Sequence, residues 1–323
     1  MFRRVRALLA FPGKVAESVR QVRRNAPWRK RTDLLVFGSS VLWGQGHQEA
    51  SKLDVLFARW LEKTRREKVT LQRFAHSGAH LQAPGEAAAL FGEVPTPHPT
   101  VEQQVAMAPA RGRGKTRILI EGGINEVGGG RIVNPRTRAS EIRQLTKQSC
   151  YHSLKEVLRQ VAAKYPYAEV LVPGYYHIVA PAAGMAEVAS LLAVEGVSGK
   201  PADDDDSAAD SVVRNSQHFA VAADHWMGRA VAEVRAETEL DCRFVPSGFS
   251  MENGMFGRDC FLFQPWQIDP MMDERAGPCA RALSDGRTGV HCFLAAAFHP
   301  NERGVAQYLK ALQRSYEGRG GAM

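Results

Sequence analysis

An apolar run, Leu34-Leu35-Val36-Phe37, leads directly into Gly38-Ser39-Ser40, with Gly44 and Gly46 close behind. A hydroxyl carried on a sharp Gly-Ser turn after a parallel strand stands at the carboxyl edge of the sheet, where open α/β folds hold their ligands. Ser40 is therefore the candidate nucleophile. A second apolar strand is followed by Ala75-His76-Ser77-Gly78-Ala79, where a glycine lets a backbone N–H approach a substrate closely. A third is followed by Glu121-Gly122-Gly123-Ile124-Asn125-Glu126, in which the Asn125 amide can donate to an oxyanion. Near the end, Ala297-Phe298-His299-Pro300-Asn301 sets an imidazole just ahead of the final helix. Taken singly, each segment is satisfied by a turn or a buried histidine. Their succession after consecutive strands carries the chemistry.

The elements that position these groups follow from periodicity. Strands are expected at 33–38, 69–75, 117–121, 169–173 and 243–245, and amphipathic helices at 51–64, 140–164, 212–237 and 303–316. Leu53, Leu56, Phe57, Trp60 and Leu61 recur at helical spacing and read as core. Alternating strands and helices predict a parallel sheet covered on both faces, an α/β fold of three layers, with the site on the loops after the strands. Insertions are expected near 84–100, 198–210 and 254–287, and a basic arm over 1–31 precedes the globular domain at 32–323.

In their order and placement, Gly38-Ser39-Ser40 through Gly44, Gly78, Gly123-Ile124-Asn125-Glu126 and His299-Pro300-Asn301 resemble the four blocks of the SGNH (GDSL-type) hydrolase family. The resemblance spans about residues 33–317. It implies a flavodoxin-like three-layer α/β/α sandwich with a central parallel sheet. By the same resemblance Ser40 is the nucleophile of a carboxylic ester hydrolase and His299 its base. The backbone N–H groups of Ser40 and Gly78 and the Asn125 side chain would form the oxyanion hole, with no metal and no organic cofactor. Two positions depart from the family pattern. Its first-block aspartate is Ser39 here, and the acid that orients the histidine, three residues ahead of it, is Ala296. A backbone carbonyl near Ala296, or a distant Asp269 or Asp285, would have to orient the ring in its place. Losing the acid of a serine triad costs about 10⁴ in turnover, so a catalytically weakened binding module of the same fold is the alternative reading.

Composition narrows the remaining classes. The chain has 323 residues, 44% of them apolar, enough for one large core. Its +8 formal charge is local: ten basic residues in 1–31 face Glu17 alone, which leaves the remainder near −1. The body is thus no general polyanion binder, and nucleic acid is not an expected partner. Val5, Leu8, Leu9, Val15, Val19 and Val22 intersperse the arm, which is expected to be a solvated helical extension. Its alternative is a surface element lying on anionic lipid or a partner, through which the protein would act at a membrane. The apolar stretch 7–11 is too short for a bilayer span or a signal-peptide core, so a cytoplasmic location, with peripheral membrane contact as the variant, is expected.

Cys150, Cys242, Cys260, Cys279 and Cys292 form no CxxC pair and read as buried thiols, with Cys242–Cys260 or Cys279–Cys292 bridges as the alternative. Arg111-Gly112-Arg113-Gly114-Lys115-Thr116 lacks the first glycine of a phosphate loop and precedes a strand instead of following one. No HExxH pair is present, and the four side chains of Asp203-Asp204-Asp205-Asp206 do not face one point as a calcium site requires. The substrate class reads as a small-molecule ester of lipid, acetylated sugar or another acyl group. Trp43, Tyr175 and Tyr176 either line its pocket or pack beneath the loops.

Overall fold

Strands buried on both faces must be apolar along most of their length, and the central ones carry such runs: Leu34–Phe37, Ile118–Ile120 and Val170–Val172 are all buried. In a computed structural model that describes residues 30–82, 98–110, 115–195, 207–273 and 296–317, five strands form one parallel sheet. These are β1 (Arg31–Phe37), β2 (Lys68–Arg73), β3 (Lys115–Ile120), β4 (Glu169–Pro173) and β5 (Asp241–Val245). Their order is β2-β1-β3-β4-β5. This is the doubly wound arrangement in which the chain changes direction between β1 and β3, and the crevice at that point is where such sheets bind ligands. Ser40 follows β1 and Asn125 follows β3.

The helices are α1 (Ser40–Trp43), α2 (Leu53–Thr64), α3 (Val101–Met107), α4 (Ile124–Val127), α5 (Gly129–Ile132), α6 (Ala139–Lys147), α7 (Leu154–Lys164), α8 (Met185–Glu195), α9 (Ala208–Thr238) and α10 (Glu302–Glu317). On one face α10 packs against α2 and the ends of β4 and β5; on the other, α3, α7 and α9 form the second layer. Phe57 and Leu61 of α2 are fully buried, and Trp60 meets Tyr316 of α10, so the apolar stripe of that helix is core as its spacing predicts. The rod expected over 140–164 is α6 and α7 joined through a π-turn at Gln148–Ser153. Helix α3 was not expected from periodicity, because seven residues carry too little of it. Its capping box is nonetheless written in the chain: the Thr100 hydroxyl accepts from Gln103 N–H while Gln103 Oε1 accepts from Thr100 N–H.

Insertion 254–287 is irregular over its described part and is tied to the segment before α10 by bridges Leu262↔Pro300 and Phe263↔Ala297. Helix α9 begins within the expected 198–210 insertion, its first turn capped by Ser207. The basic arm through Arg29, residues 84–97, the Asp203-Asp204-Asp205-Asp206 run, Asp285, Cys279 and Cys292 lie outside the described residues. Cys150, Cys242 and Cys260 are free thiols, so the Cys242–Cys260 bridge is not made. Among the described residues no helix is long and apolar enough to cross a membrane.

The amino-terminal edge of the sheet carries charge in place of chemistry. Glu169 of β4, 2% exposed, meets Arg117 of β3 at 3.2 Å, Lys115 at 2.7 Å and Arg243 of β5. Arg117 also pairs with Glu67 at 2.6 Å and lies under the Tyr316 ring. Removing one member of a buried ion cluster strands its partners without compensation, at about 3–5 kcal/mol. Glu169→Ala is accordingly expected to lower the unfolding free energy by about that amount. Urea melts of the two proteins read the difference directly, and a loss below about 1 kcal/mol contradicts it.

Candidate active site

The site is assembled on three adjacent strand ends. Strand β1 is followed by Gly38, whose φ of +152° and lack of a side chain admit the Glu121 carboxylate: a Cβ there would lie 2.8 Å from Glu121 Oε1. Ser40 then opens α1 and is 1% exposed. The loop after β2 is stitched to this turn by Phe74 N–H and Ala75 N–H donating to Val36 C=O, and by His76 N–H donating to Gly38 C=O. Gly78, at φ +76°, turns back, and its N–H makes no hydrogen bond within the described residues. On the β3 side, Asn125 Nδ2 donates to Ala79 C=O at 3.0 Å, which fixes the amide beside the Gly78 turn. An amide NH₂ carries two hydrogens, so the second stays available to an anion.

His299 comes from the far end of the chain, and its segment is built from backbone pairing. Phe263 N–H donates to His299 C=O at 2.9 Å, Phe298 N–H to Phe263 C=O, and Asn301 N–H to Phe261 C=O. Asn301 also accepts from Arg303 N–H and Gly304 N–H, so it caps the start of α10 and sets the histidine just outside the helix. Phe298 sits at φ +70°, a left-handed conformation costly for a residue with a Cβ. Tyr176 O–H donates to the Phe298 carbonyl at 3.0 Å and helps hold it there.

That turn decides what orients the ring. The acceptor facing His299 Nδ1 is the carbonyl of Ala297, at 2.9 Å. The Ala296 carbonyl is instead taken by His299 N–H, so the expected carbonyl moves by one residue. The physical reason is the left-handed Phe298, which swings the Ala297 C=O back over the ring. Asp269 accepts from Met271 N–H in its own turn. With Nδ1–H donated to a carbonyl, the neutral imidazole presents Nε2 as its basic atom.

Ser40 and His299 line one narrow cleft, with Gln45, His47 and Tyr308 among its other walls. His47 has no signal in the sequence. Its Nε2–H donates to Pro300 C=O at 2.7 Å, and burial lowers its pKa, with the Pro300 contact opposing, so at neutral pH it holds the histidine loop as an uncharged ring. Tyr175 and Tyr176 prove to be packing residues, both buried, each with its hydroxyl given to the framework. Trp43 is half-buried and stacks on His76, joining α1 to the Gly78 loop. Among the described residues no group of three or more His, Cys, Asp or Glu is placed to hold a metal ion.

Glu126, next to Asn125, accepts from Leu81 N–H and keeps Oε2 buried without a partner. Burial pushes its pKa up to about 7 from 4.5. A carboxyl raised on folding takes up a proton between those two values, so stability falls as pH rises through that window and levels off above it. The expected fall is at most about 3 kcal/mol. Thermal melts at pH 5 and pH 8 should show it in the wild type and not in Glu126→Gln; parallel profiles for the two proteins count against it.

Sheet order, switch-point crevice and these loops give the chain the SGNH hydrolase fold. Among solved structures it is similar to an extracellular lipase from Streptomyces rimosus and to phospholipase A1 from Streptomyces albidoflavus NA297. Each superposes with a TM-score of 0.51 at 14% identity, covering 88% of this chain and 99% of its own. No family model and no curated protein matches the chain.

Proposed function

We propose that this chain is a carboxylic ester hydrolase working through an acyl-enzyme. The observation that carries this is the cleft shared by Ser40 and His299, with the His299 ring fixed at Nδ1 by a carbonyl. In this reading Nε2 takes the Ser40 proton as Oγ bonds to the acyl carbon. The oxyanion is met by the N–H groups of Ser40 and Gly78 and by Asn125 Nδ2. His299 then gives its proton to the alkoxide as the ester C–O bond breaks and the alcohol leaves. A water attacks the acyl-serine, His299 takes its proton and returns it to Ser40, and the acid departs. The Ala297 carbonyl fixes the tautomer as a carboxylate does while stabilising the imidazolium less.

This arrangement supports an active hydrolase over a weakened binding module, since the role left open by Ala296 has an occupant. The fold likeness to a lipase and a phospholipase points to acyl esters as the first substrates to try. A fluorophosphonate probe followed by peptide mapping tests the assignment. Covalent labelling at Ser40, lost in His299→Ala, supports it, and labelling of a different serine rejects it.

A further inference from the structure

Ser39 stands where the family's first block carries aspartate, yet the nucleophile turn does not lack a carboxylate. Glu121, in the loop directly after β3, reaches across to it from the neighbouring strand. Its Oε1 accepts from Ser39 N–H at 2.7 Å and from Ser39 Oγ at 2.9 Å, and its Oε2 lies 3.1 Å from the same hydroxyl. The Ser39 hydroxyl is so committed to Glu121 that it makes no cap to the helix it precedes.

The same carboxylate reaches the oxyanion side. Tyr175 O–H donates to Oε2 at 2.7 Å, and the Tyr175 oxygen accepts from Ile124 N–H, one residue before Asn125. Glu121 is 1% exposed, and an isolated carboxylate at that depth is costly unless donors surround it. Three donors do: two from Ser39 and one from Tyr175. Burial pushes the Glu121 pKa up, and these bonds oppose that shift. We propose that Glu121 is a positioning residue for the reaction, a carboxylate relocated from the first strand's turn to the third's, which sets the Ser40 turn and the Asn125 turn relative to one another.

This inference rests on the ester-hydrolase reading, and its test separates the two. Glu121→Gln keeps the volume and one acceptor oxygen but turns an NH₂ toward either Ser39 or Tyr175, both of which donate. Displacement of reacting groups by a fraction of an ångström to 1 Å costs up to about 10²-fold. The expected result is a fall in kcat of about 10- to 100-fold, with KM changed by less than about threefold, counted per Ser40 titrated with fluorophosphonate. Moving the charge back, in the double variant Ser39→Asp with Glu121→Gln, is expected to recover at least about tenfold of that loss.

A merely structural role predicts lower melting temperature with unchanged turnover per titrated site and no recovery by relocation. That outcome overturns the proposal. If Glu121→Gln does not fold, Ser39→Ala and Tyr175→Phe each remove one arm of the network. A kcat equal to wild type in both overturns it as well. A wild type that neither turns over esters nor labels at Ser40 removes the hydrolase reading and this inference with it, whereas an active wild type matched by Glu121→Gln sinks the inference alone.

Discussion

Replacing Ser40 with alanine is expected to lower ester turnover by at least about 10⁴-fold, and replacing His299 with alanine to do the same. Without Oγ there is no atom to carry the acyl group. Without the imidazole the hydroxyl keeps its proton, and in a cleft this buried few waters can take the role of base. Because the two residues act as one unit, the double variant is expected to be no slower than either single one. Both side chains sit in a small cleft and neither fills the core, so folding should be preserved. Release of p-nitrophenol from short-chain esters, alongside thermal melts, checks both points. Turnover by Ser40→Ala equal to wild type would falsify the mechanism outright.

The second large effect is expected at Asn125. Its Nδ2 already gives one hydrogen to Ala79 C=O, so the amide is held before any substrate arrives, and preorganised donors act on the transition state without reorganising. Asn125→Ala is expected to reduce kcat by about 10²- to 10³-fold with KM little changed. Asn125→Asp should be worse than alanine, because a carboxylate in that place repels the developing oxyanion. Kinetics of the two variants against wild type give the ranking. A loss carried mainly by KM would assign Asn125 to ground-state binding instead.

What the sequence reveals and what it hides divides along a physical line. Ser40, Gly78, Asn125 and His299 are legible because each follows a strand or precedes a helix whose periodicity marks the place. The central strands are legible for the same reason, since β1, β3 and β4 each carry an apolar run, whereas β2 and β5 at the sheet edges mix polar and apolar residues. Glu121 stands at the head of the segment that carries Asn125, yet its partner is Ser39, and only the pairing of β1 with β3 brings them together. The identity of the carbonyl behind His299 depends on one backbone angle, φ +70° at Phe298. No propensity predicts a left-handed phenylalanine. His47 follows a glycine-rich turn and owes its role to Pro300, more than 250 positions away in the chain.

The pairing of the histidine segment with residues 261–263 also hangs half of the candidate site on a stretch outside the sheet. In the proposed mechanism the nucleophile is held by the strand framework and the base by those few backbone bonds, so local opening of that stretch is expected to silence turnover while the five-stranded sheet stays folded.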